Sequence, residues 1–157
     1  MPEPLVVHST FVITRTYPKP RERVFAAFAE AGKKRRWYAE SDSHEIEAFE
    51  MDFRVGGAER FRYRFKEGTP LPGMILTNEG TFHDIVPGRR IVMASTMGLG
   101  DKRISCSLVT IELVTEDDGT ELICTHQGAF FEGSDGPQMR EAGWQTLFDK
   151  LGKDLAR

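Results

Sequence analysis

Phe61, Tyr63 and Phe65 alternate with Arg60, Arg62 and Arg64. This is the clearest two-residue period in the chain, and it predicts a strand over 59–65 with one face toward a core and the other toward water. The same period runs through Phe49, Met51, Phe53 and Val55 in a strand over 44–55 that ends at Gly56-Gly57. Phe11 to Tyr17 alternates well enough for an opening strand, which Pro18 and Pro20 close; Pro20 is placed to begin a helix. Val24, Phe25 and Phe28 at helical spacing predict that helix over 21–29, and after a break at Gly32 a second short helical piece covers 33–38.

Two hairpins follow. One joins 76–86 to 89–96 across Pro87-Gly88, and the other joins 105–115 to 120–127 across Asp117-Asp118-Gly119, a strong turn signal. Glycine and proline place 66–73, 97–103 and 132–137 in loops. Trp144, Leu147, Phe148, Leu151 and Leu155 recur at i, i+3, i+4, i+7 and i+11, the wide apolar stripe of a long C-terminal helix. Gly143 is expected to bring that stripe close to the sheet. The order strand, two short helices, six strands, long helix sets the fold class as α+β. A curved six- to seven-stranded antiparallel sheet wraps around the long helix, the only element large enough to cover its concave face. No linker or internal repeat divides the chain, so one domain is expected over 1–157, with its core over about 10–155.

The last hairpin has an internally consistent register. Pairing Asp117 with Thr120 sets Leu113 opposite Cys124, Ile111 opposite His126 and Thr115 opposite Leu122, with the apolar members of both strands on one face. Cys106 then falls about seven residues from the level of Cys124, beyond disulfide reach. Both thiols are expected to be free, as in a reducing compartment.

Composition narrows the function classes. The chain has 157 residues, 21 basic and 24 acidic, for a formal charge of −3, which argues against a general nucleic-acid binder. No run approaches the ~18 apolar residues of a membrane span. Met1-Pro2-Glu3-Pro4 lacks the basic and apolar regions of a signal peptide. A cytoplasmic protein is the expectation.

Candidate chemistry is sparse. His126 is placed on the inward face of the last strand and is the best candidate for a catalytic or ligand-orienting group, against the alternative of a hydrogen-bonded core histidine. Trp37, Tyr63, Phe65, Phe82, Met93, Ile111, Phe130, Trp144 and Phe148 would line a pocket for a flat or apolar ligand, with His126 among them; taken singly, each is as well explained as ordinary core. Arg15, Asp52, Arg54 and Asp84 fit ion pairs at sheet edges and turns. Lys33-Lys34-Arg35-Arg36 is the one basic run and reads as a solvated helix face. The four histidines lack zinc-like spacing, so no metal is expected. No cofactor motif or paired nucleophile and base is visible either.

Several segments, in order, resemble a known family. They are Val12 to Tyr17, Pro20 to Phe28, Arg36-Trp37-Tyr38, Met51 to Gly57, Gly80 to Ile85 followed by Pro87, Gly119 to Leu122, and Gly143-Trp144 with Leu147 and Leu151. Together they resemble the START-like (SRPBCC) superfamily with the helix-grip fold, in particular the branch named after the C-terminal domain of the activator of the Hsp90 ATPase. The resemblance spans about residues 10 to 155. Glu30-Ala31-Gly32, where an Asp-Pro step is common, and Tyr38, where a second Trp is usual, depart from the pattern. The resemblance implies three functions in descending order. The first is a binding protein for an apolar or aromatic small molecule held in an internal cavity. That reading also rests on the inward aromatic residues and on the loops 66–73, 97–103 and 129–137, which could gate its mouth. The second is a polyketide-cyclase- or hydrolase-like enzyme in which His126 and Tyr63 handle protons. The third is a module that stimulates a chaperone ATPase, a role ranked last because the chain lacks the extra N-terminal domain of the name-giving activator.

Overall fold

The computed structural model describes residues 5–157. The elements are β1 (Val7–Tyr17), α1 (Arg21–Ala29), α2 (Ala31–Lys34), a π-helical turn (Arg35–Ala39), β2 (His44–Met51), β3 (Ala58–Phe65), β4 (Ile75–Val86), β5 (Arg90–Leu99), β6 (Lys102–Glu116), β7 (Gly119–Phe130) and α3 (Pro137–Leu155). The strands form one antiparallel sheet in the order β1-β7-β6-β5-β4-β3-β2. Every neighbour except β1 and β7 is consecutive, so the chain meanders and then closes its first strand onto its last. Register breaks at Ile46/Ala48 in β2 and Phe82/Asp84 in β4 bend those strands. The curved sheet grips α3, as the helix-grip expectation requires.

Local chemistry explains several boundaries. Gly57 is held where a Cβ would come within 2.0 Å of the Asp52 carbonyl oxygen, so only glycine fits this turn. The turn is sewn to β4, because the Gly56 amide donates to the Phe82 carbonyl at 2.7 Å and the Phe82 amide to the Gly57 carbonyl at 3.0 Å. The break between α1 and α2 falls at Glu30, which has extended backbone, while Gly32 lies inside α2. The expected loop over 97–103 contracts to a turn at Gly100-Asp101, because β5 and β6 run into it from both sides.

Two expectations need correction. The last hairpin pairs Glu116 with Gly119, so Asp117-Asp118 alone form the two-residue turn and every partner moves by two. Ile111 faces Cys124, Leu113 faces Leu122, and His126 faces Val109 rather than Ile111. Asp117 adopts φ 50°, the left-handed conformation that such tight hairpins require. A two-residue shift preserves which face each side chain takes, so His126 and Cys124 still point inward. Cys106 lies opposite Ala129 and is exposed, whereas Cys124 is buried, and both are free.

Gly143 is the second correction. It is solvent-exposed with open space around it. The close approach occurs at Gly152, where a Cβ would come within 3.2 Å of the Tyr17 ring. Tyr17 also donates its hydroxyl to the Phe148 carbonyl at 2.8 Å. Thus β1, through Tyr17, meets the second half of α3, and Phe148, Leu151 and Leu155 are buried beneath it.

Candidate functional site

The π-helical turn brings three successive residues, Trp37, Tyr38 and Ala39, into the interior. An ordinary helical turn would direct one of them outward. Trp37 packs edge-on against Phe28 at 5.0 Å and donates its indole N–H to the Ala27 carbonyl at 2.9 Å. This leaves a small gap between the N-terminal helices, the sheet and α3. Phe28, Lys34, Trp37, Phe53, Phe82, Ile91, Met93, Val109, Ile111 and Trp144 line it. A water's centre has ≈ 20 Å³ in which to move there, room for about one water molecule. Phe53 and Trp144 are the two lining side chains that reach the surface in part; the other eight are buried.

The only charged group on that lining is Lys34. It is 6% exposed and pairs with Glu59, itself 4% exposed, at 2.6 Å. The ammonium lies 4.7 Å from the centre of the Tyr38 ring and 6.0 Å from that of Phe82. Tyr38 accepts a hydrogen bond from the Asn78 amide at 3.1 Å. Burial, reinforced by the Glu59 charge, holds its phenol well above the usual range. The pair is self-neutralising, so it presents a polarised but uncharged patch to the gap. Lys34 therefore departs from the expected solvated face, although Arg35 and Arg36 are exposed.

A second polar group lies further along β6 and β7. His126 is 1% exposed, stacked on Phe11 at 4.5 Å and on Phe130 at 6.1 Å. Burial, with help from the Arg140 charge, pushes its pKa down to about 4, so the ring is neutral near pH 7. Its Nδ1 and the buried Ser107 hydroxyl have no hydrogen-bond partner among the described residues. Arg140, buried on α3, binds Asp135 with two bonds of 2.8 Å and the Ser105 hydroxyl at 2.9 Å, and lies 5.1 Å from the Phe130 ring. Partial burial works to raise the Asp135 carboxyl, but the Arg140 hydrogen bonds and charge hold it below its ordinary value.

The residues singled out from sequence thus divide. Trp37, Phe82, Met93, Ile111 and Trp144 meet around the gap. Phe148 packs behind Trp37 and Trp144 at 6.5 and 5.5 Å. Phe130 lies under Arg140 with His126, and Tyr63 is stacked on His44 at 3.8 Å, with Phe65 edge-on to it at 5.2 Å. Burial pushes the Tyr63 phenol up to about 12. A neutral imidazole with so low a pKa is a weak base, and among the described residues no group bonds its Nδ1 to orient it. Arg15, Arg54 and Asp84 form ion pairs with Asp149, Asp52 and Arg90 at 2.6, 2.8 and 2.7 Å. Sequence reasoning missed Lys34 and Glu59. Glu59 was legible, since it precedes Phe61, Tyr63 and Phe65 on the inward period. Among the described residues, no three His, Cys, Asp or Glu side chains gather to hold a metal.

The family model described as activator of Hsp90 ATPase homolog 1-like protein matches residues 18–156. Among solved structures, the Mll3558 protein of Rhizobium loti is 44% identical, with 95% of this chain and 98% of that one covered and a TM-score of 0.82. An uncharacterised protein of Rhizobium leguminosarum is 34% identical, covers 97% of each chain and has a TM-score of 0.89. Protein CV1439 of Chromobacterium violaceum, at 24% identity and a TM-score of 0.77, shares the fold. No curated protein matches the chain.

Proposed function

The chain belongs to the activator of Hsp90 ATPase homolog 1-like family, and from that premise we propose that it binds a small, mostly apolar molecule between the sheet and α3. One observation carries the reading: the gap between these layers is walled by aromatic and aliphatic side chains, with Lys34 as the only charge on the wall. That charge is already matched by Glu59, so it offers no free cation to an anionic group. Ligand sites of this kind are concave and largely apolar, with a few polar groups. The gap is far smaller than the ~300 Å³ of a ligand pocket, so binding has to displace a wall. Trp144 and Phe53, the partly exposed wall members, are the ones to move.

Methyl-resolved NMR during titration with naphthalene tests this. Shifts at the Met93, Ile91 and Ile111 methyl groups that saturate are the expected result. Shifts confined to surface methyl groups, or none up to the solubility of the probe, would remove the reading. No helix among the described residues is long and apolar enough to cross a membrane.

A further inference from the structure

Val109 lies between the apolar gap and the polar group on β6 and β7. It lines the gap, and His126 is its direct partner across the β6–β7 ladder. Ser107 is two residues further along the same inward face of β6, opposite Gly128. Ser107 and His126 are therefore diagonal neighbours, about 7–8 Å apart at their Cα atoms. Side chains at that spacing can share one atom held between them without bonding each other. Phe11 and Phe130 cover the imidazole, so its edge is what remains to interact. Both side chains are more than nine-tenths buried, yet the Ser107 hydroxyl and His126 Nδ1 have no partner among the described residues. Native interiors seldom leave such groups unsatisfied.

The charges nearby limit what would satisfy them. Arg140 donates from Nε and Nη2 to Asp135 and from Nη2 to Ser105, so its charge is matched by Asp135 and this end carries a neutral pair. Serine offers both a donor and an acceptor, and a neutral imidazole nitrogen is one or the other according to its tautomer. An uncharged group that can complement both is a hydroxyl, or a carbonyl taking both donors. We propose that Ser107 and His126 form a recognition subsite for the uncharged oxygen of a ligand whose apolar body occupies the space beside Val109. The ligand class is accordingly a neutral alcohol, phenol or ketone with a hydrophobic frame, rather than a carboxylate or phosphate.

This inference rests on the binding reading above, and the experiment separates the two. Naphthalene, 2-naphthol and 2-naphthoate are titrated into the wild-type protein and into Ser107→Ala at pH 7. Long-range nitrogen–proton NMR of the His126 ring gives a second readout. The wild type should bind 2-naphthol on the order of tenfold more tightly than naphthalene, the value of one net buried hydrogen bond, and should bind 2-naphthoate most weakly. Ser107→Ala should erase the advantage of 2-naphthol while leaving naphthalene affinity unchanged, and 2-naphthol alone should move the His126 Nδ1 resonance. Equal binding of naphthalene and 2-naphthol overturns the subsite and leaves the apolar site standing. A preference for 2-naphthoate overturns its uncharged character. Failure of all three probes to bind overturns both. If Ser107→Ala unfolds, Ser107→Cys, close in size with a far weaker donor, supplies the same comparison.

Discussion

Lys34 and Glu59 show how a single buried pair governs its surroundings. Each is almost completely shielded from water, and at 2.6 Å the attraction offsets a desolvation cost that neither could bear alone. Lys34→Met should therefore cost about 3–5 kcal/mol by leaving Glu59 charged and unmatched. Lys34→Met combined with Glu59→Leu should recover most of that loss. Urea unfolding of the two variants checks this, and a double variant as unstable as the single one would refute it. The pair was half legible: Glu59 has the inward parity of β3, but Lys34 reads as one of four similar cations until α2 is set against the sheet. His126 makes the complementary case with pH. Its folded pKa of about 4 is below the ordinary value of 6.5, so between those values the unfolded chain binds the extra proton. Stability from this group is complete above about pH 6.5 and declines as the pH falls toward 4. From pH 7 to pH 5 the loss should be about 1–2 kcal/mol. His126→Leu should reduce the slope over that interval in unfolding measurements, where carboxylates contribute little and the remaining slope comes from His44, which burial also shifts down.

The hairpin β6–β7 and helix α3 show what a pattern constrains and what it leaves open. Alternation determines the parity of each strand, so Cys124 and His126 were correctly turned inward. It does not distinguish registers that differ by two, because both bury the same faces. The tight Asp117-Asp118 turn decides between them, through the left-handed backbone at Asp117. The two glycines of α3 were indistinguishable from sequence for a similar reason, since the apolar stripe does not say which turn of the helix comes closest to β1. The structure separates them sharply, and their replacement by alanine should too. Gly143→Ala adds helix propensity in open space and should stabilise by about 0.5–1 kcal/mol. Gly152→Ala adds the same propensity, but its Cβ meets the Tyr17 ring at 3.2 Å, and Tyr17 is tied to the Phe148 carbonyl. It should gain less than Gly143→Ala or lose stability outright, as comparison of their thermal midpoints will show. A larger gain at Gly152 would contradict the packing described.

Across the whole molecule, the meander and the grip on α3 follow from features the sequence displays, whereas the closing of β1 onto β7 is a long-range pairing that no local pattern specifies. The extent of the internal space does not, because the aromatic residues that would line a cavity are also the ones that fill a core. Here they mostly fill it, which makes the attachment of α3 decisive. Its second half is fixed by Arg15 to Asp149 at 2.6 Å and by Arg36 to Asp154 at 3.0 and 3.1 Å. Its first turn is fixed by Arg140 to Asp135 and Ser105. Between these anchors Trp144 packs on Tyr38 and Phe148 at 6.1 and 5.5 Å, and its partial exposure makes it the side chain through which the proposed entry is tested. Trp144→Ala should leave the fold intact, as seen by circular dichroism. It should cost about 2–3 kcal/mol in urea unfolding, less than the ~3–5 kcal/mol of a fully buried aromatic. The space it vacates adjoins an apolar gap, and apolar cavities of this kind remain dry and accept aromatic molecules. Naphthalene should then bind on the order of tenfold more tightly than to the wild type, because the work of displacing the indole has been removed. Unchanged or weaker binding, in a variant that still folds, would mean that the ligand does not enter beneath α3.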